Sequence, residues 1–425
     1  MISIFRAGGA RIVVLVVTLA LTAVANRFTI DALGTQNFGV ISLIVTLTAL
    51  LPFADLGIGA TVTSELPSQS RSAEQIDDLI ARSNGVLSIV AALVITVSVA
   101  LGLLDIWPVL LGVPGEGWVS PAAATTFVSF AVSLRLGLAS RVIVALDRAH
   151  LAVICQSTGP VVGLVIIALA HLTNASAYFY AVAVPIGVLC SNILIFGVAT
   201  RISSVNLRAT RIVGSLGRAQ SIPILAHSVP MFAISILMPL LLQSDRLVIA
   251  QVGTPALLAT YAVASQLFWP AYSVLTAAEL PLWARFVTMR AERGNYRREL
   301  RRLTIFFGAL GMALGLGLWV VTPLYQRFIG AESVEGVATT TLAFAALLVA
   351  QALVIPTRAL LTTPGGLRLH MIALVCALLV KIGLTTVLIA SLGAAAPVIA
   401  SVVAVALQGA IMMLSVRFIF PKERL

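Results

Sequence analysis

Apolar runs long enough to cross a bilayer succeed one another along almost the whole chain, and this feature limits the fold to a bundle of membrane-spanning helices. With breaks set at charge, proline and glycine, the runs fall at residues 10–33, 36–65, 80–104, 119–146, 150–172 and 177–199. The second half continues at 221–251, 256–286, 302–322, 334–361, 367–390 and 394–419. A helix needs about 20 apolar residues to span the hydrocarbon core, so the reading is an all-α integral membrane protein with twelve transmembrane helices. Only 10% of the 425 residues are charged and 60% are hydrophobic. Water-facing domains carry about 25% charged residues, so no sizeable soluble domain fits between the spans.

The net charge of +11 sorts by loop parity. One side receives Arg6 and Arg11, Arg71 and Arg82, Arg141 and Arg148, and the group from Arg201 to Arg218. It also receives the group from Arg285 to Arg302, then Arg358 and Arg368, then Arg417, Lys422 and Arg424. The opposite loops hold Arg327 with Asp105, Glu116, Glu332 and Glu335. Because basic residues accumulate in cytoplasmic loops, both termini are expected in the cytoplasm, and the charge calls for no nucleic-acid partner. Arg6 and Arg11 ahead of an apolar run ending in Ala23-Val24-Ala25 imitate a cleaved leader. The apolar character resumes after Arg27, and the first helix is expected to stay.

The three cysteines lie inside apolar runs and the four histidines are scattered, which predicts no disulfide framework, metal site, cofactor or catalytic constellation. An integral-membrane glycosyl polymerase or ligase is disfavoured as well, since it calls for a large external loop and the loops are short. Gly308, Gly311 and Gly315 share one face of the ninth span, which is expected to pack within the molecule.

An internal repeat divides the chain. Asn26-Arg27-Phe28 through Gly34-Thr35 matches Asp245-Arg246-Leu247 through Gly253-Thr254, with an Arg seven residues before a Gly-Thr that closes an odd-numbered helix. Phe38-Gly39 and Tyr261-Ala262 then open the next helix, and a carboxylate follows late in it, Asp55 in one half and Glu279 in the other. Six spans per half give both halves the same orientation, hence two six-helix lobes related by a pseudo-two-fold axis along the membrane normal. The expected division is an N-terminal lobe at 1–200, a basic cytoplasmic linker at 201–220 and a C-terminal lobe at 221–425.

The segments Gly34-Thr35-Gln36-Asn37-Phe38-Gly39 with Phe53-Ala54-Asp55-Leu56-Gly57, and Gln243-Ser244-Asp245-Arg246 with Tyr261-Ala262-Val263-Ala264, resemble bacterial polysaccharide flippases. These belong to the multidrug, oligosaccharidyl-lipid and polysaccharide exporter superfamily. The resemblance implies two bundles alternating between inward and outward openings in the bacterial cytoplasmic membrane. It also implies a polyprenyl-diphosphate-linked oligosaccharide as substrate, moved to the outer leaflet beside polysaccharide-assembly proteins, with no covalent chemistry. A multidrug antiporter of the same superfamily is the alternative.

Ionisable groups inside spans are costly and become site candidates. For a diphosphate the cations Arg27, Arg135, Arg246 and Lys381 are the expected contacts, since a guanidinium offers planar paired donors to phosphate oxygens. Arg27 also has Asp31 one turn on, and Arg246 has Asp245 beside it, so local pairing competes with substrate contact at both. Asp55 and Glu279 are candidates for ion coupling or for a structural ion pair.

Overall fold

A computed structural model describes residues 2–48, 73–146, 148–203, 205–211, 224–291 and 296–419, with the isolated positions Ile58, Val62 and Leu66. Asp55 lies outside the described residues. The described residues are helical, with no strand among them, and backbone contacts divide the chain into two compact units, Met1–Ile222 and Pro223–Leu425.

In the N-terminal unit, α1 (Ile2–Leu47) contains the first span and the start of the second, separated at Gly34. Gly34 has φ 78° and ψ 168°, a conformation that costs a side-chain-bearing residue dearly, so the Gly-Thr pair breaks the helix where the sequence places a boundary. The third span is α2 (Ala73–Leu103), followed by the short α3 (Trp107–Leu110). The fourth combines α4 (Val119–Leu136) with α5 (Leu138–Ala145), hinged at Gly137, and the fifth combines α6 (Ala149–Gln156) with α7 (Thr158–Leu172). The sixth is α8 (Ala177–Ile202), which packs on α4 and α7.

Close approach of α7 and α8 depends on glycine, because lipid supplies no hydrophobic force between helices and packing must do the work. A Cβ on Gly187 would stand 2.3 Å from the Gly159 carbonyl oxygen and 3.1 Å from its carbon, and backbone cannot swing aside as a side chain can. Gly187→Ala is therefore expected to separate the two helices at a cost of about 2 kcal/mol, read as a fall of several degrees in the thermal unfolding midpoint in detergent. An unchanged midpoint would remove this contact from the account.

The first part of the segment read as a linker folds back onto this unit. Asn84 of α2 donates to the Leu207 and Ala209 carbonyls at 2.9 and 3.0 Å, and Leu207 is buried among residues of α2, α5 and α8. Arg211 pairs with Asp78 at 2.7 Å.

In the C-terminal unit the seventh span is α9 (Ile224–Gln243) with α10 (Asp245–Val252), bent by 49° at Ser244. The eighth is α11 (Pro255–Ser265) with α12 (Phe268–Ala291). Thr254 caps α11 by accepting from the Leu257 amide at 3.3 Å, so the second Gly-Thr pair, like the first, separates two spans. The remaining spans are α13 (Tyr296–Phe328), α14 (Val337–Leu360), α15 (Pro364–Leu392) and α16 (Ala396–Ile419). α14 packs against α12, α13 and α16 and is largely enclosed. Gly308, Gly311 and Gly315 lie against Leu353, Ala352 and Ala345 of α14, so the glycine face is internal packing.

Candidate functional site

A buried polar cluster begins at the bend in the seventh span. The last carbonyls of α9 have no partner within their own helix, and a cation at that end meets a favourable dipole. Lys381, in the middle of α15 and 1% exposed, places its ammonium there and donates to the Leu241 carbonyl. It also reaches Ser244 Oγ at 3.4 Å and forms an ion pair with Asp245, itself 1% exposed. The other Asp245 oxygen accepts from the Tyr261 hydroxyl at 2.9 Å. Arg246, on the next position of α10, donates to Ser265 Oγ at 2.7 Å and lies over the Tyr261 ring, 5.6 Å from its centre. Four helices thus meet through one network of two cations, a carboxylate, a phenol and two hydroxyls.

A second cluster lines a cavity of about 390 Å³ in the same unit. Its walls are Met231, Ile234 and Met238 of α9 and Tyr272 of α12, and into them open Glu279 of α12 and Arg358 of α14. Arg358 Nε donates to Glu279 Oε1 at 2.9 Å, and a terminal guanidinium nitrogen donates to Oε2, giving a paired, planar contact. The two side chains are 10% and 11% exposed. His370 of α15 also borders the cavity, and its Nε2 is 3.0 Å from Gln408 Nε2 of α16.

The sequence-read cations separate by unit. Arg246 and Lys381 join one network in the C-terminal unit, where Lys381 reaches Asp245 from a distant helix and Arg246 holds Ser265 and the Tyr261 ring. Arg27 and Arg135 are exposed on α1 and α4 of the N-terminal unit, and Arg135 donates to Thr210 Oγ1 at 3.1 Å. Asp31 has the ring of His171 at 3.6 Å, with Phe28 stacked on that ring at 5.0 Å. Glu279 is in an ion pair.

Assignment of Arg358 to a basic loop is corrected. It lies in the last turn of α14, turned inward by packing against α12, where Glu279 neutralises it. Its signal in the sequence was its place three residues before the end of the run at 334–361, directly after Pro356-Thr357. Sequence reading placed Tyr261 in the repeat but gave it no role beside Asp245, and it passed over His370, which carries no motif. Among the described residues no three His, Cys, Asp or Glu side chains converge as metal ligands would.

No protein-family model and no curated protein matches the chain. Solved structures do. An inward-facing multidrug resistance MATE family transporter of the MOP superfamily aligns over 94% of each chain at 14% identity, with a TM-score of 0.76. Lipid II flippase MurJ in an inward closed conformation aligns over 97% of this chain and 87% of its own, at 14% identity and a TM-score of 0.66. A point mutant of the Vibrio cholerae MATE transporter VcmN aligns over 98% of this chain and 97% of its own, at 16% identity and a TM-score of 0.60. At these identities the likeness is one of architecture, and the chain has the twelve-helix, two-lobe fold of these transporters.

Proposed function

We propose that the chain flips a polyprenyl-diphosphate-linked oligosaccharide from the cytoplasmic to the outer leaflet by alternating access, in a bacterial cytoplasmic membrane with both termini inside. The supporting observation is Arg358 in the wall of a largely apolar cavity. Moved from loop to interior, it joins the candidate cations Arg27, Arg135, Arg246 and Lys381, set against the candidate acids Asp31, Asp245 and Glu279 among the described residues. In the C-terminal unit the enclosed cations Arg246, Arg358 and Lys381 outnumber the enclosed acids Asp245 and Glu279, which suits a diphosphate, and methionine and aromatic walls suit the first isoprene units beside it. In this reading Arg27 and Arg135, exposed on their helices, meet the head group in the N-terminal unit. Arg246 and Lys381 hold the bend at Ser244 and add positive potential from behind the cavity wall. Glycosyltransferases that load the lipid and a polymerase that consumes the product are the expected neighbours.

A second reading, a multidrug antiporter, has its own support in Met231, Met238 and Tyr272 around the acidic Glu279, a setting that suits an organic cation. The two are separated by placing the chain in cells that lack their own oligosaccharide flippase. Restored surface polysaccharide, with lipid-linked oligosaccharide cleared from the inner leaflet, is the expected result. Cells that stay defective but survive cationic drugs would replace it with the antiporter.

A further inference from the structure

We infer that the cytoplasmic end of α13 is a binding site for the phosphodiester head group of an anionic glycerophospholipid. A surface cavity of about 580 Å³ lies there, lined by Met289 of α12 and by Arg298, Glu299, Arg301, Arg302 and Ile305 of α13. The one acid in it is already occupied, since Glu299 is paired with Arg285 at 2.5 Å. Arg298, Arg301 and Arg302 bring three guanidinium groups to its lining, and such groups offer phosphate the planar donors it binds best. Positive helix-dipole potential at the same end adds to them.

The face that carries these arginines identifies the occupant as a lipid and not a soluble anion. Arg298, Arg302, Ile305, Met312, Leu316 and Trp319 follow at helical spacing along one stripe of α13. Ile305, Met312, Leu316 and Trp319 are 62, 64, 63 and 50% exposed, whereas the opposite stripe, with Phe307 and Leu318, is buried toward α14. An apolar stripe left uncovered for several helical turns is a surface for acyl chains, and it begins directly below the arginines. Head group and tail thus have adjoining, chemically matched places on one helix face. Basic pockets beside transmembrane helices on the cytoplasmic side are suited to anionic lipid in this way. The inference is independent of what the protein transports.

The test uses the full-length chain reconstituted in vesicles of phosphatidylcholine and phosphatidylglycerol, then purified in detergent and analysed for retained lipid. Phosphatidylglycerol is expected to be retained over phosphatidylcholine by about tenfold. The Arg298→Gln/Arg301→Gln/Arg302→Gln variant should lose that preference with its unfolding midpoint unchanged, and Arg302→Gln alone should lose about threefold. Arg208→Gln/Arg297→Gln, which removes two exposed arginines outside the cavity, should keep it. Equal retention in the triple variant, or equal loss in the control, overturns the site. Displacement of phosphatidylglycerol by millimolar inorganic phosphate would overturn the lipid as occupant and leave a soluble-phosphate site.

Discussion

Glu279→Gln is expected to tighten binding of a diphosphate-bearing lipid by about tenfold, because it releases Arg358 from a carboxylate that occupies the same planar donors a phosphate would use. The amide keeps the shape of the acid and one acceptor, so the fold should survive. Arg358→Gln is the opposite case. It leaves Glu279 charged and enclosed without its guanidinium, which costs about 3–5 kcal/mol for a buried pair, and it abolishes transport. The double variant should recover most of the stability and none of the transport. Thermal unfolding with a binding assay on the pyrophosphate head group separates these effects. If Glu279→Gln weakens binding as much as Arg358→Gln does, Glu279 contacts substrate itself, and the antiporter reading gains.

Lys381→Met is expected to lower stability by about 3–5 kcal/mol, since it strands Asp245 in the interior with the Tyr261 hydroxyl and the adjacent Arg246 as its remaining polar company. Asp245→Asn combined with Lys381→Met should be close to neutral, as replacing both members of a buried pair removes two desolvation costs along with one attraction. The measurement is a double-mutant cycle on thermal stability, with a coupling energy of about 2–4 kcal/mol. Additive losses would mean that Lys381 and Asp245 do not act as a pair. Transport by the stable double variant is expected to fall even so, because the ammonium that caps the free carbonyl end of α9 at the bend is gone. Normal transport would show that the bend persists without it.

The helices themselves were legible because insertion into a bilayer is a local property. Whether a run crosses depends on its own length and composition, and α8, α14, α15 and α16 follow the sequence-read runs closely, while α13 extends six residues past its run at each end. The repeat was legible for a related reason. Gly34 breaks its helix with a positive φ, and a Cβ on Gly253 would stand 2.7 Å from the Ile249 carbonyl oxygen one turn back. Both Gly-Thr pairs therefore mark boundaries whatever surrounds them. The chemistry of the interior was much less legible. Glu279 could be recognised as an intramembrane acid, but its partner stands 79 residues away, and Lys381 meets the Leu241 carbonyl from 140 residues away.

Charge parity counted Arg358 with the loops, whereas the structure encloses it. The rule counts a basic residue near the end of a run as belonging to the loop, whereas burial is decided by which face the helix turns toward its neighbours. By itself, then, the sequence determined the class of fold, the number and order of the spans, the two-fold repetition and the short list of costly charges, all of which depend on composition and local backbone preference. Only the tertiary structure decided which charges neutralise one another, that Lys381 reaches the Asp245 carboxylate from a distant helix, and that Arg358 rather than a predicted cation opens into the cavity. Such pairings depend on contacts between helices far apart in the chain, and the rotation of each helix that makes them is set by packing that no single run contains.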